Sequence, residues 1–98
     1  MHPTKKDNEM NNDIDLTLNE REATHGDFSD VASVAQSLKF HMDCAPYWGN
    51  LTDDKKEALQ MIALKVARIV CGNPNYPDHW KDIEGYARLV RDRIAPDD

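Results

Sequence analysis

Little in this chain would mark a secreted scaffold, a phosphate-loop protein or a nucleic-acid binder. Two cysteines, Cys44 and Cys71, occur in 98 residues, too few for a disulfide framework and without metal or redox spacing. Both read as small, half-buried thiols kept reduced. Glycine is sparse, and Gly26, Gly49, Gly72 and Gly85 each stand alone, so no Gly-rich phosphate loop is present. No run approaches eighteen apolar residues, and residues 1–12 lack the apolar stretch of a signal peptide. These absences lead us to expect a soluble, cytoplasmic protein. Basic excess is missing too. Twelve Lys and Arg face eighteen Asp and Glu, a net charge of −6, which argues against non-specific binding to nucleic acid or an anionic membrane.

The acidity is unevenly spread. The first thirty residues carry eight acids against three bases, leaving ten against nine for the remainder. Residues 1–13 are polar and charge-rich and are expected to form a disordered arm. Residues 14–95 are expected to form a single helical domain. One or two helical turns are predicted around Ile14–Ala23, broken at Thr24-His25-Gly26-Asp27, where Gly26 suits a left-handed backbone.

Three firmer helices follow. Val31, Val34, Ala35, Leu38 and Met42 form a helical stripe over about 29–42, with Asp27 or Ser29 as its cap. Thr52 opens a second helix in which Leu59, Ile62, Val66, Ile69 and Val70 read as the core face, stopped at Gly72 and Pro74. The third starts near Asp78, with Trp80, Ile83, Ala87, Val90 and Ile94 on its apolar stripe. No segment reads as a strand. The fold class is therefore all-α, a compact three- to four-helix bundle. Helices this short give a thin core, and a central helix apolar on several faces calls for more cover than two neighbours supply. A homo-oligomer is expected.

Glu57, Lys65 and Arg68 interrupt the otherwise apolar central helix. Charges on a buried helix need partners, and Asp78 and Asp82, four apart on the next helix, are the nearest. A structural ion network of Glu57, Asp78 and Asp82 with the two cations is the simplest account. An anion or nucleotide site, in which Lys65 and Arg68 clamp a phosphate, comes second. A metal site comes last, because Glu57 has no second acid one turn on, where Gln60, Met61 and Leu64 stand. Among the four histidines no pair has metal-ligand spacing. His25 has functional potential because Gly26 lets backbone approach a ligand. Ser29, Ser33 and Ser37 belong to no nucleophile–base arrangement. Trp80 and Tyr86 are candidates for stacking on a base, although helical spacing suits them to a core. Gly85, inside the third helix, suggests close helix approach or room for a ligand beside Tyr86.

The segments REATHGDF (21–28), EALQMIALKVARI (57–69) and DHWKDIEGYA (78–87) resemble a family of small uncharacterised phage and prophage proteins. More remotely, the pattern is similar to the all-α nucleotide pyrophosphohydrolases of the MazG and dUTPase type. That resemblance implies Mg²⁺ bound by an ExxE helix and an ExxD helix around a nucleoside triphosphate. Glu57 would match the first acid and Asp82 the last, but Gln60 replaces the second acid, and Lys65 and Arg68 bring positive charge to the metal position.

The favoured expectation is a phage accessory protein that binds a phosphorylated nucleotide without catalysis, for nucleotide management or counter-defence. Its ligand-binding residues would be Lys65, Arg68, His25, Asp27, Asp82 and Tyr86, with no cofactor. One alternative is a Mg²⁺-dependent nucleotide pyrophosphohydrolase. Another is an acidic protein-interaction inhibitor of a host defence protein.

Overall fold

The computed structural model describes residues 5–94, with side chains over 13–94. Among the described residues there are four α-helices and no strand: α1 (Lys5–His25), α2 (Phe28–Asp43), α3 (Asp53–Cys71) and α4 (Pro77–Arg91). A single 3-10 turn, Trp48–Asn50, lies between α2 and α3. The architecture is the expected all-α bundle. No described helix is long and apolar enough to cross a membrane.

Local chemistry explains the helix ends. Asp27 caps α2, its carboxylate accepting from the Asp30 N–H at 3.2 Å, which satisfies one of the orphan donors of the first turn. Thr52 occupies the cap position of α3, but its hydroxyl donates to the Asp54 carboxylate instead. Pro77 opens α4, where its fixed φ suits the first helical turn. Within α1, the described helix is longer than the one or two turns expected. The boundary placed near Asp13 falls inside it, and the first four residues of the expected arm lie outside the described residues.

α3 is the central helix, packed most extensively against α4 and then α2. Its buried positions are Ala58, Ala63, Ala67 and Ile69, while Leu59 and Val70, expected in the core face, are exposed. Small alanines suit close approach of α2 and α4, and every residue of α3 from Gln60 to Ile69 is buried or half-buried, so its neighbours cover most of its circumference there. Val31 and Ala35 of α2 meet Ala67 there, with Val34, Leu64 and Cys71 packed around them. In α4 the buried position is His79 rather than Trp80. Trp80 lies on the surface and donates its indole N–H to the Pro74 carbonyl at 2.8 Å, pinning the α3–α4 connector. Gly85 has open space around it, so close helix approach does not explain it.

The two connectors are docked on one another. Gly26 has φ +94°, the left-handed backbone expected of it, and a Cβ there would fall 2.4 Å from the Cys71 carbonyl oxygen. A Cβ on Gly72 would fall 2.4 Å from the His25 carbonyl carbon. The Asn73 N–H donates to the Thr24 carbonyl at 3.0 Å across this seam. Both glycines are required by backbone-to-backbone contact.

Candidate functional site

The end of α1, the start of α2 and the middle of α3 enclose an open groove of about 330 Å³. Arg21, Glu22 and His25 contribute from α1, Asp27 and Phe28 from the cap of α2, and Arg68 from α3, over an apolar floor of Leu18, Val31 and Leu64. The volume is at the small end of the range for ligand pockets, about 300–1,000 Å³. Helical geometry explains the convergence. Arg21 and His25 are four apart and share a face of α1, as do Leu64 and Arg68 on α3.

The groove carries the guanidinium groups of Arg21 and Arg68 together with the carboxylates of Glu22 and Asp27. Among the described residues, neither Arg21 nor Arg68 has a carboxylate within salt-bridge distance, whereas Lys65 does: its Nζ lies 2.9 Å from the Asp82 carboxylate. Asp27 faces the groove but already accepts the Asp30 N–H. Phe28 is 83% exposed at the rim, a free aromatic face beside two guanidinium groups.

Behind the groove lies a contact between two histidines distant in sequence. His25 Nδ1 is 3.1 Å from His79 Nε2, which is also 3.3 Å from the Thr24 carbonyl oxygen. His79 is 1% exposed. The Tyr76 ring meets both imidazoles edge-on, with centroids 4.9 Å from His79 and 6.2 Å from His25. Burial lowers the pKa of His25, and the positive charges of Arg68, His79, Lys65 and Arg21 lower it further. The Asp78 carboxylate nearby raises the pKa of Tyr76.

The sequence-derived candidates divide into separate places. His25, Asp27 and Arg68 share the groove. Lys65 and Asp82 pair with each other, and the ammonium holds the Asp82 carboxyl below its usual range. Tyr86 lies on α4, beside Asp82 and Gly85 on one side and Glu57 on the other, away from the groove. Of the expected ion network only Lys65–Asp82 forms among the described residues, with the lysine side chain 12% exposed and the aspartate 44%. Glu57 and Asp78 are both exposed. No three His, Cys, Asp or Glu side chains converge as metal ligands among the described residues. Arg21, Phe28 and His79 were not singled out in sequence. Arg21 had a visible signal, its place one turn before His25, but the partnership of His25 and His79 spans 54 residues and leaves no local trace.

What fold and groove define is an all-α bundle with a small, cation-lined cleft between helices. The chain belongs to the family described as "Domain of unknown function (DUF6378)", which matches residues 10–94. Searches of curated proteins and of solved structures each returned no match.

Proposed function

We propose that this protein binds a phosphorylated nucleotide in the α1–α2–α3 groove without hydrolysing it. The observation that carries the reading is the pair of guanidinium groups, Arg21 and Arg68, lining one cavity without carboxylate partners. Guanidinium forks match phosphate oxygens bidentately. Glu22 and Asp27 offer acceptors for ribose hydroxyls or base amino groups, and Phe28 offers a face for the base. That mixture suits a nucleotide better than inorganic phosphate. The earlier candidates Lys65, Asp82 and Tyr86 take no direct part: Lys65 is occupied by Asp82, and Tyr86 is elsewhere.

The proposal includes a role in nucleotide management or counter-defence. Hydrolysis of the MazG kind draws less support, since Glu57, Asp78 and Asp82 do not converge. Self-association is part of the same proposal. Leu16 on α1 and Leu89 on α4 are both more than half exposed, apolar surface that a second copy would cover. Light scattering is expected to give a multiple of the 11.2 kDa chain mass, and a monomer at tens of micromolar would refute this.

Binding is tested by a thermal-shift screen of nucleoside mono-, di- and triphosphates and cyclic nucleotides, with and without Mg²⁺. At least one is expected to raise the melting temperature of the native chain, and Arg68→Ala and Arg21→Ala to abolish the rise. Incubation with nucleoside triphosphates and Mg²⁺, read by chromatography, is expected to show no turnover. Sustained pyrophosphate release lost in Glu57→Gln would replace this proposal with the enzyme. No stabilisation by any nucleotide would shift the weight to a protein-interaction role.

A further inference from the structure

We infer that His79 is a positioning residue: it fixes the tautomer of His25, making the His25 Nε2–H a standing hydrogen-bond donor to the phosphate in the groove. The inference rests on the nucleotide-binding proposal for its ligand but on separate geometry for its mechanism. His79 Nε2 has two neighbours, the Thr24 carbonyl oxygen at 3.3 Å and His25 Nδ1 at 3.1 Å. A carbonyl oxygen only accepts. His79 Nε2 therefore carries the hydrogen and shares it between the two, and His25 Nδ1 is the acceptor. With its Nδ1 lone pair used, neutral His25 has its proton on Nε2, the one remaining polar atom of a ring that lines the groove with Arg21 and Arg68.

The arrangement resists exchange. His79 is 1% exposed, so water does not compete for its proton. Tyr76 holds both rings edge-on, and the docked backbones of Gly26 and Gly72 fix the distance between the connectors. The charges around His25 favour its neutral form. Arg21 and Glu22 face it from α1, Asp27 from the α2 cap, and Lys65 and Arg68 from α3. From the α4 side it meets His79 and Tyr76, with the Asp78 carboxylate acting on the Tyr76 phenol and Asp82 held by Lys65 beyond. The cations outweigh the acids in their effect, and the pKa of His25 lies below its ordinary value. A neutral imidazole donor between two guanidinium groups adds a directed hydrogen bond to the phosphate without adding to their mutual repulsion. This second-layer use of one histidine to orient another follows the general logic of ring nitrogens set by the partner of the opposite nitrogen.

Two measurements on the full chain test this. Long-range ¹H–¹⁵N correlation spectra at about pH 7.5 are expected to show His25 protonated on Nε2 and unprotonated on Nδ1 before any ligand is added. A proton on Nδ1 would overturn the inference whatever the chain binds. Calorimetric titration with the nucleoside monophosphate that gives the largest thermal shift is the second. His79→Leu, which removes the donor, is expected to weaken binding roughly three- to tenfold, the worth of one hydrogen bond, and to leave His25 a mixture of tautomers. His79→Gln, which restores an N–H donor at similar reach, is expected to recover most of both and guards against a simple failure of His79→Leu to fold. Equal affinity in wild type, His79→Leu and His79→Gln would overturn the positioning role while the binding proposal stands. A wild-type chain that binds no nucleotide, with the Nε2 tautomer nonetheless in place, would overturn the binding proposal and the donor role with it.

Discussion

The two halves of α1 live in different surroundings. Ile14, Leu16 and Leu18 are each more than half exposed, whereas Thr24 and His25, six to eleven residues later, are docked on the α3–α4 connector. Leu16 lies on the face opposite Ile14 and Leu18, Leu18 borders the groove, and the docked end is attached by a carbonyl, an imidazole and two glycines. α1 is thus held at one end by backbone proximity and hydrogen bonds rather than by an apolar stripe. The groove sits at the boundary between the halves, so the docked end positions the side chains of Arg21 and His25.

The sharpest way to break this contrast is to push the connectors apart. Gly26→Ala meets both a positive φ and a carbonyl oxygen at 2.4 Å, and Gly72→Ala meets the backbone of His25 and Gly26. Strain of about 1–3 kcal/mol at the left-handed position and overpacking of similar size lead us to expect a loss of about 3 kcal/mol or more for Gly26→Ala. Gly72→Ala should lose about 2 kcal/mol. Urea unfolding measures both, and a change below about 0.5 kcal/mol in either would show that the connectors are not rigidly docked.

A pair of side-chain truncations sharpens the comparison further. Val31 is 4% exposed at the centre of the core and Leu16 is 60% exposed on α1. At about 0.8 kcal/mol per buried methylene, Val31→Ala should cost about 2 kcal/mol. Leu16→Ala should stay within about 0.5 kcal/mol, as surface changes do, when measured at concentrations where the chain is a monomer. A cost at Leu16 that grows with protein concentration would instead report the second copy covering α1.

Sequence periodicity placed α2 and α3 to within a residue or two, because each has strong end signals: Asp27 capping one, Gly72 and Pro74 closing the other. It found the buried stripe of α2, Val31, Val34, Ala35, Leu38 and Met42, and misjudged part of the buried faces of α3 and α4. On α4, counting only apolar residues put Trp80 inward, when the buried face carries His79 and half-buried Asp82, Tyr86 and Val90. That rotation by one residue hid His79. On α3 Ile69 is buried as its pattern suggested, but Ala58, Ala63 and Ala67 make the rest of the buried face and Leu59 and Val70 remain outside. For the site, His25, Asp27 and Arg68 were legible from a glycine turn and an embedded cation. Arg21, one turn before His25, had a local signal; Phe28 and His79 depend on how the connectors pack, which no local pattern encodes.

Gly85 is the control for the glycine argument. It lies inside α4 with nothing within 4 Å of the position a Cβ would take. Gly85→Ala is expected to stabilise the chain by about 1 kcal/mol through helix propensity alone, the opposite sign from Gly26→Ala and Gly72→Ala. Destabilisation would mean that this surface, beside Lys81, Tyr86 and Leu89, is occupied in solution.

The smallest expected effect is the pH response of the docked end. His25 has a folded pKa below its ordinary 6.5 because burial and then the charge of Arg68 disfavour the imidazolium. Above 6.5 the ring is neutral in both folded and unfolded chains, and its contribution to stability is fully present. As pH falls through 6.5 the unfolded chain takes up the proton first, so stability declines until the lower folded pKa is passed. The carboxylates held low, Asp82 by Lys65 and Asp92 by Arg91, act in a different window, since their ordinary value is 3.8. Melting temperatures recorded from about pH 7.5 to 5.5 should therefore fall in the wild type and fall less in His25→Gln. The Gln carbonyl can still accept from His79, so the substitution removes the titration while leaving the seam an acceptor. Below about pH 4 the two curves should run parallel, because the acids titrate in both. Identical slopes between pH 7.5 and 5.5 would mean that His25 exchanges its proton as freely in the folded chain as in the unfolded one. The docked end of α1 would then be as open to water as its exposed half.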